Sequence, residues 1–255
     1  MAKSDLLEQI QEYVRRYAAA HREVERVGPF LATFGLHSSG PYLNYAVPDD
    51  GCEPSSEEVA ELVRVFKHRG LRPRVELVAE LAPAAESELR LAGFATEGVF
   101  SLMSCTAESL RPAPAIDVAQ IVFAHRDDQY LAVLEVRQEA FEEPETVTKS
   151  DVARVRSAVE GGGAAVLAVL RESGQVLGSA TCLIPYGAVS ELVSIGVLPA
   201  WRRRGIGAMI TSVLTRAALE SGLETLYLTA VHDEGERVYE RVGYSVAGRL
   251  LHLGI

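Results

Sequence analysis

Glu191-Leu-Val-Ser-Ile-Gly-Val197, running into Leu198-Pro-Ala-Trp-Arg202-Arg203-Arg204-Gly205-Ile206-Gly207-Ala208, is the stretch on which the reading of this chain turns. The first seven residues form an aliphatic strand pattern, and Pro199 ends it. Beyond the glycines, Ile210, Val213, Leu214, Ala217 and Ala218 recur at helical spacing, predicting a helix over Gly207–Ser221 with Gly222 at its C-terminal cap. A glycine-rich loop between a strand and a helix is a phosphate-binding arrangement. Glycines let backbone N–H groups approach a pyrophosphate, the helix start adds its dipole, and the arginines add charge. The string is neither G-x-x-x-x-G-K-[ST] nor G-x-G-x-x-G, which argues against nucleoside triphosphates and dinucleotides. The bland alternative is a basic helix start followed by a cap.

Around this stretch, the spacing predicts a helix over Asp127–Phe141, an acidic loop Glu142-Glu143-Pro144-Glu145, and a helix over Ser150–Glu160. Strands follow at Ala164–Leu170, Val176–Ile184 and Val189–Val197, the first two joined by a hairpin signal. After the central helix come a strand at Leu223–Val231, a helix at Glu234–Val242, and a Gly243-Tyr244 break into a last strand. Upstream, a stretch at 108–118 with two prolines reads as a linker. Before it lie a long helix (Asp5–Arg26) and strands at Phe30–Phe34 and Tyr42–Val47. A helix from the Ser55-Ser56-Glu57-Glu58 capping box to Gly70 follows, then a strand at Arg74–Val78, a helix at Ala84–Leu91 and a strand at Val99–Cys105. The element order predicts an α/β or mixed α+β sheet with helices on both faces. Strand, helix, Gly-aromatic, strand occurs twice, ending in Gly93-Phe94 and in Gly243-Tyr244, which suggests a duplicated fold.

The 255 residues carry 25 Lys+Arg against 35 Asp+Glu, a net charge of −10, and 48 % are hydrophobic. That composition excludes whole-chain disorder and argues against nucleic acid as a partner, since a phosphate backbone calls for a basic face. No apolar run approaches the roughly 20 residues of a membrane span, and the amino terminus lacks an apolar secretion core. Cys52, Cys105 and Cys182 contain no C-x-x-C, which suits a reducing cytoplasm and excludes a disulfide scaffold or local zinc site. His37, His68 and His125 have no metal-ligand spacing, so no metal is expected.

The string V-x-P-x-x-R-x-x-G-I-G over Val197–Gly207 resembles the acetyl-CoA motif of the GNAT N-acetyltransferase superfamily. The family's N-x-x-A-x-x-L-Y-x-x-x-G-F appears as His232, Gly235, Val238, Tyr239, Gly243 and Tyr244, with the asparagine and alanine replaced. The resemblance covers about residues 116–255. Residues 1–110, which lack any R-x-x-G-x-G, resemble the degenerate amino-terminal domain of tandem members. It implies two tandem GNAT-like domains, each a mixed, mostly antiparallel sheet flanked by helices. It also implies acetyl-CoA as co-substrate, with direct acetyl transfer to an amine in a ternary complex. Backbone groups of Ile195 and Val197 would bond the pantetheine arm, with Gly196 marking a bulge or close approach. Backbone N–H groups of Arg202, Arg203, Arg204, Gly205, Ile206, Gly207 and Ala208 would hold the pyrophosphate, with salt bridges from the Arg202 and Arg203 side chains. Tyr239 would sit near the thioester sulfur as general acid, and the N–H of Val197 would meet the oxyanion.

Acetyl transfer needs a free amine, and Glu191 is the candidate general base. Strand alternation predicts Glu191, Val193 and Ile195 on one face. A solvated strand start is the equal alternative for Glu191. Cys182 reads as a buried structural thiol, His232 as a loop histidine, and Glu142, Glu143 and Glu145 as a solvated loop that could attract a cationic amine. The expected acceptor is a small-molecule primary amine, the expected assembly a monomer or homodimer. A non-catalytic acyl-CoA-binding or regulatory protein is the rival, and acetylation of a protein amino group a third reading.

Overall fold

The computed structural model describes residues 3–35, 43–144 and 146–255. Their elements run α1 (Lys3–His21), β1 (Glu23–Val27), β2 (Phe30–Phe34), β3 (Tyr45–Pro48), α2 (Ser56–His68), β4 (Arg74–Val78), α3 (Pro83–Leu91) and β5 (Ala95–Cys105). Then come β6 (Ala119–Phe123), α4 (Asp127–Ala140), α5 (Lys149–Glu160), β7 (Ala164–Leu170), β8 (Val176–Cys182) and β9 (Val189–Val197). A 3-10 turn at Pro199–Trp201 leads to α6 (Ile206–Glu220), β10 (Thr225–Ala230), α7 (Asp233–Val242) and β11 (Ser245–Gly254).

Compactness divides the chain into Met1–Leu102 with Val246–Ile255, and Met103–Ser245. In the first unit β1 pairs antiparallel with β2, β2 with β3, and β3 parallel with β4. The last strand of the chain then pairs antiparallel with β4, Leu250 opposite Val78 and Leu253 opposite Val75. Leu251 and Leu253 thereby enter a core with Phe30, Phe34, Leu62, Phe66, Leu77 and Phe94. In the second unit β6, β7, β8 and β9 form an antiparallel run and β9 pairs parallel with β10. Its core gathers Ile206, Ile210 and Leu214 of α6 against Val166, Leu177, Leu192 and Leu226. On another cluster, Tyr130, Val133 and Leu134 of α4 meet Ala165, Leu167 and Val169. Each unit is therefore a mixed, mostly antiparallel sheet with helices packed on it.

Three details differ from the sequence expectation. The first helix ends at His21 rather than Arg26, and Glu23–Val27 is a strand. Gly28 (φ +53°) turns those residues back onto Phe30–Phe34, and the pairing in this hairpin outcompetes helical periodicity. Val24, placed on the helix's apolar face by spacing, is solvent-exposed. The strand Ala119–Phe123 has no counterpart in the sequence reading, which ends the linker at 118 and begins its next element at Asp127. Of the strand expected at Tyr42–Val47, Tyr45 onward is strand; Tyr42, like His37 and Glu145, lies outside the described residues.

Candidate active site

β9 is the axis of the site. Its ladder with β10 registers Thr225↔Val189, Leu226↔Ser190 and Tyr227↔Glu191. Among the described residues that is the last pair, although β9 continues to Val197 and β10 to Ala230. The two strands part beyond Glu191, leaving a β9 edge that an extended ligand can join by strand-like hydrogen bonds. On the other edge, Thr181 pairs with Val193 and Ser179 with Gly196, so the register slips between them. Ser194 carries the slip, with φ +55°.

That bulge overturns the expected alternation. With one residue extra, Leu192, Ile195 and Val197 pack with the cluster under α6. Gly196 turns to the opposite side, where a Cβ would lie 3.0 Å from Ala140 Cβ and 3.4 Å from Phe141 Cε2 at the end of α4. Glu191 and Val193 precede the bulge and share the face of Gly196, not of Ile195. The glycine is needed for close approach of α4, and the bulge itself sits two residues earlier than the sequence suggested.

After Val197 the loop reaches α6 through Gly205, the N-cap, with φ +83°. No side chain caps this helix and no acidic residue occupies its first turn. The amides of Ile206, Gly207 and Ala208 therefore meet an approaching anion with their dipole unopposed. At Gly207 a Cβ would meet nothing nearer than Val197 Cγ2 and Val238 Cγ1, both at 3.8 Å, so the protein's own packing does not demand glycine there. An open strand edge, an uncapped helix start and a glycine without packing need fit a pantetheine–pyrophosphate ligand.

The arginines divide their work. Arg202 donates from Nε to the Val197 carbonyl at 3.2 Å and from Nη2 to the Ala140 carbonyl at 2.8 Å. Arg203 has a left-handed backbone (φ +58°), and the Arg204 guanidinium lies 4.8 Å from the centre of the Trp201 ring. Tyr239, on α7, packs against the core beside Tyr244, ring centres 6.3 Å apart, and burial pushes its phenol up to about 12. Glu191 accepts a hydrogen bond from the buried Tyr227 hydroxyl at 3.1 Å. Alternation alone did not signal Tyr227; the parallel register is what places it opposite Glu191.

Cys182 is buried, with its sulfur 3.2 Å from Ser190 Oγ, and burial pushes the thiol up to about 11, as for a structural cysteine. His232 is exposed at the start of α7. Glu143 pairs with Arg137 at 2.9 Å, and Glu142 takes a left-handed conformation after α4. Among the described residues no three His, Cys, Asp or Glu side chains converge as a metal site, and no helix is long and apolar enough to cross a membrane.

Residues 130–244 match the family model described as Acetyltransferase (GNAT) family. This segment is a GNAT acetyltransferase domain. The matched residues hold α4 from Tyr130 onward, the β9 bulge, the loop before α6, and Tyr239. Solved structures share the fold of the whole chain. A GCN5-related N-acetyltransferase from Kribbella flavida has a TM-score of 0.81 at 22 % identity, over 97 % of this chain and 95 % of its own. Its counterpart from Sphaerobacter thermophilus has a TM-score of 0.68 at 15 % identity, over 98 % and 89 %. A tandem GNAT protein from the clavulanic acid biosynthesis pathway has a TM-score of 0.64 at 11 % identity, over 100 % and 96 %. No curated protein sequence matches the chain. Acyl transfer is the general reaction of GNAT domains.

Proposed function

We propose that the GNAT domain transfers acetyl from acetyl-CoA to a small-molecule primary amine in a ternary complex, in the cytoplasm. In this reading residues 116–255 are catalytic and residues 1–110 are a degenerate copy without a cofactor loop. The observation that carries it is the sequence of features along one strand: an edge released beyond Glu191, a bulge at Ser194, and a helix start left uncapped at Gly205. The edge of Ile195–Val197 takes the pantetheine arm. The amides of Arg202–Ala208 take the pyrophosphate, with Arg203 and Arg204 supplying charge. When bound, acetyl-CoA supplies a thioester, an acyl group activated for attack.

The chain's residues then manage two protons. An ammonium has no lone pair, and an amine of pKa about 10.4 is almost wholly protonated at neutral pH. Glu191, held in place by the Tyr227 hydroxyl, receives the proton. Tyr239 keeps its own proton throughout the physiological range, because its phenol titrates near about 12. Burial holds the Tyr239 phenol above the range of a thiol, so complete proton transfer to the departing thiolate is uphill. Tyr239 therefore serves the departing sulfur first as a hydrogen-bond donor that lowers the charge it must carry.

The test is a calorimetric CoA titration followed by thiol release from acetyl-CoA with a panel of amines. Trp201, the sole tryptophan of the sequence, gives a parallel optical signal beside the loop. CoA binding with amine-dependent thiol release supports the enzyme. CoA binding with no release by any amine supports the non-catalytic binder, and no CoA binding rejects both.

A further inference from the structure

Among the described residues, three non-glycine residues hold a left-handed backbone: Glu142 (φ 54°), Ser194 (φ 55°) and Arg203 (φ 58°). Each costs roughly 1 kcal/mol or more, and such strain persists only where its surroundings over-determine it. Glu142 follows α4, Ser194 makes the β9 bulge, and Arg203 lies in the loop before α6. All three strained points belong to the candidate site.

One side chain joins the three segments. Arg202 stands in the loop, reaches the last carbonyl of β9 (Val197) at 3.2 Å, and reaches the last carbonyl of α4 (Ala140) at 2.8 Å. Carbonyls in the final turn of a helix have no intrahelical partner, and a cation there also complements the helix dipole. A planar guanidinium presents donors in two directions at once, which an ammonium on a flexible stem cannot do. The turn held this way is closed by Glu142 N–H to Glu139 O at 3.4 Å and Glu143 N–H to Gln138 O at 3.0 Å. It places Phe141, 51 % exposed, over Gly196 on the sheet face that carries Glu191.

Resting on the acetyl-CoA reading above, we propose that the Arg202 side chain is a positioning group and not a phosphate ligand. It clamps the end of α4 and the end of β9 to the phosphate loop, so that ordering of the loop by CoA is passed to the Phe141–Glu143 turn on the acceptor side. Phosphate binding is left to the loop amides, Arg203 and Arg204.

Hydrogen exchange on the full-length protein, with CoA as probe, tests this in Arg202→Gln and Arg202→Lys. Losing two charge-assisted bonds should speed ligand-free exchange at residues 139–143 by roughly tenfold in Arg202→Gln. Saturating CoA should slow exchange there in the wild type but not in Arg202→Gln, a response that a purely structural bond would not give. Arg202→Lys, which cannot span both carbonyls, should recover less than half of either effect. The proposal is overturned if exchange at 139–143 is unchanged in Arg202→Gln, or if CoA slows it equally in both proteins. It is also overturned if Arg202→Lys restores CoA affinity lost in Arg202→Gln while exchange at α4 stays as in the wild type. Should the wild type bind no CoA, the function reading fails alone, because the ligand-free comparison still decides whether the clamp exists.

Discussion

Two helices in this chain occupy the same place in two crossovers, and they begin in opposite ways. α2 connects β3 to the parallel strand β4, and α6 connects β9 to the parallel strand β10. At the start of α2, Ser55 Oγ accepts the Glu58 N–H, and the Glu58 carboxylate accepts the Ser55 N–H at 2.8 Å. These bonds hold the Glu58 carboxyl below its ordinary range, and Glu57 adds another negative charge to the first turn. The positive end of α2 is therefore filled by its own side chains, and an incoming phosphate would meet like charge. α6 begins at a glycine, with no capping side chain and no acid. A capped helix start stabilises the fold; an uncapped one costs stability and keeps its amides for a ligand. Further along, the units agree: Gly93 (φ +95°) and Gly243 (φ +103°) both turn a helix into a strand, with buried Phe94 and Tyr244 behind them. The scaffold is repeated while the uncapped helix start is not.

The largest effect that sharpens this contrast is expected at Tyr239. Tyr239→Phe removes a hydroxyl and keeps the ring, so turnover should fall by roughly 10²–10⁴-fold with CoA affinity nearly unchanged. A steady-state assay with the best amine checks it, and the alkaline limb of the wild-type profile below about 12 should not be Tyr239 ionising. Glu191→Gln should act more selectively. Its rate should drop most at low pH, where the amine is most fully protonated and a base contributes most, and recover as pH rises; a pH–rate profile measures this. The smallest effect belongs to the other unit. Ser55→Ala removes the α2 cap, costing about 1 kcal/mol, a fall in melting temperature of roughly 2–4 °C, with no change in CoA affinity. A melting curve and a titration together test it.

Much of the scaffold could be read from residues alone. Gly205 and Gly207, flanked by a strand and an amphipathic helix, located the loop, and the capping box at Ser55 marked the start of α2. Glu23–Val27 was misread because its two valines suit a helix face as well as a strand, and only pairing with Phe30–Phe34 separates the two. The pairing of β11 with β4 is equally hidden, since long-range pairing leaves no local periodicity. In the site, residue types at motif positions were legible, but side-chain partners were not. The motif does not signal that the Arg202 guanidinium reaches two main-chain carbonyls, and the face of Ile195 was inverted by one bulged residue at Ser194. Bulges break the period on which strand reading depends.

The central claim is that the uncapped start of α6 binds CoA phosphate, and Gly207→Asp tests it most directly. A Cβ is tolerated there, with neighbours at 3.8 Å, and an acid in the first turn favours the helix dipole. The variant should therefore fold and melt no lower than the wild type. Its carboxylate would nevertheless stand where the phosphates must approach. A calorimetric CoA titration should show affinity lowered by about 100-fold or more, some 2.7 kcal/mol, in a protein of undiminished melting temperature. Unchanged CoA affinity in that folded variant would contradict the account.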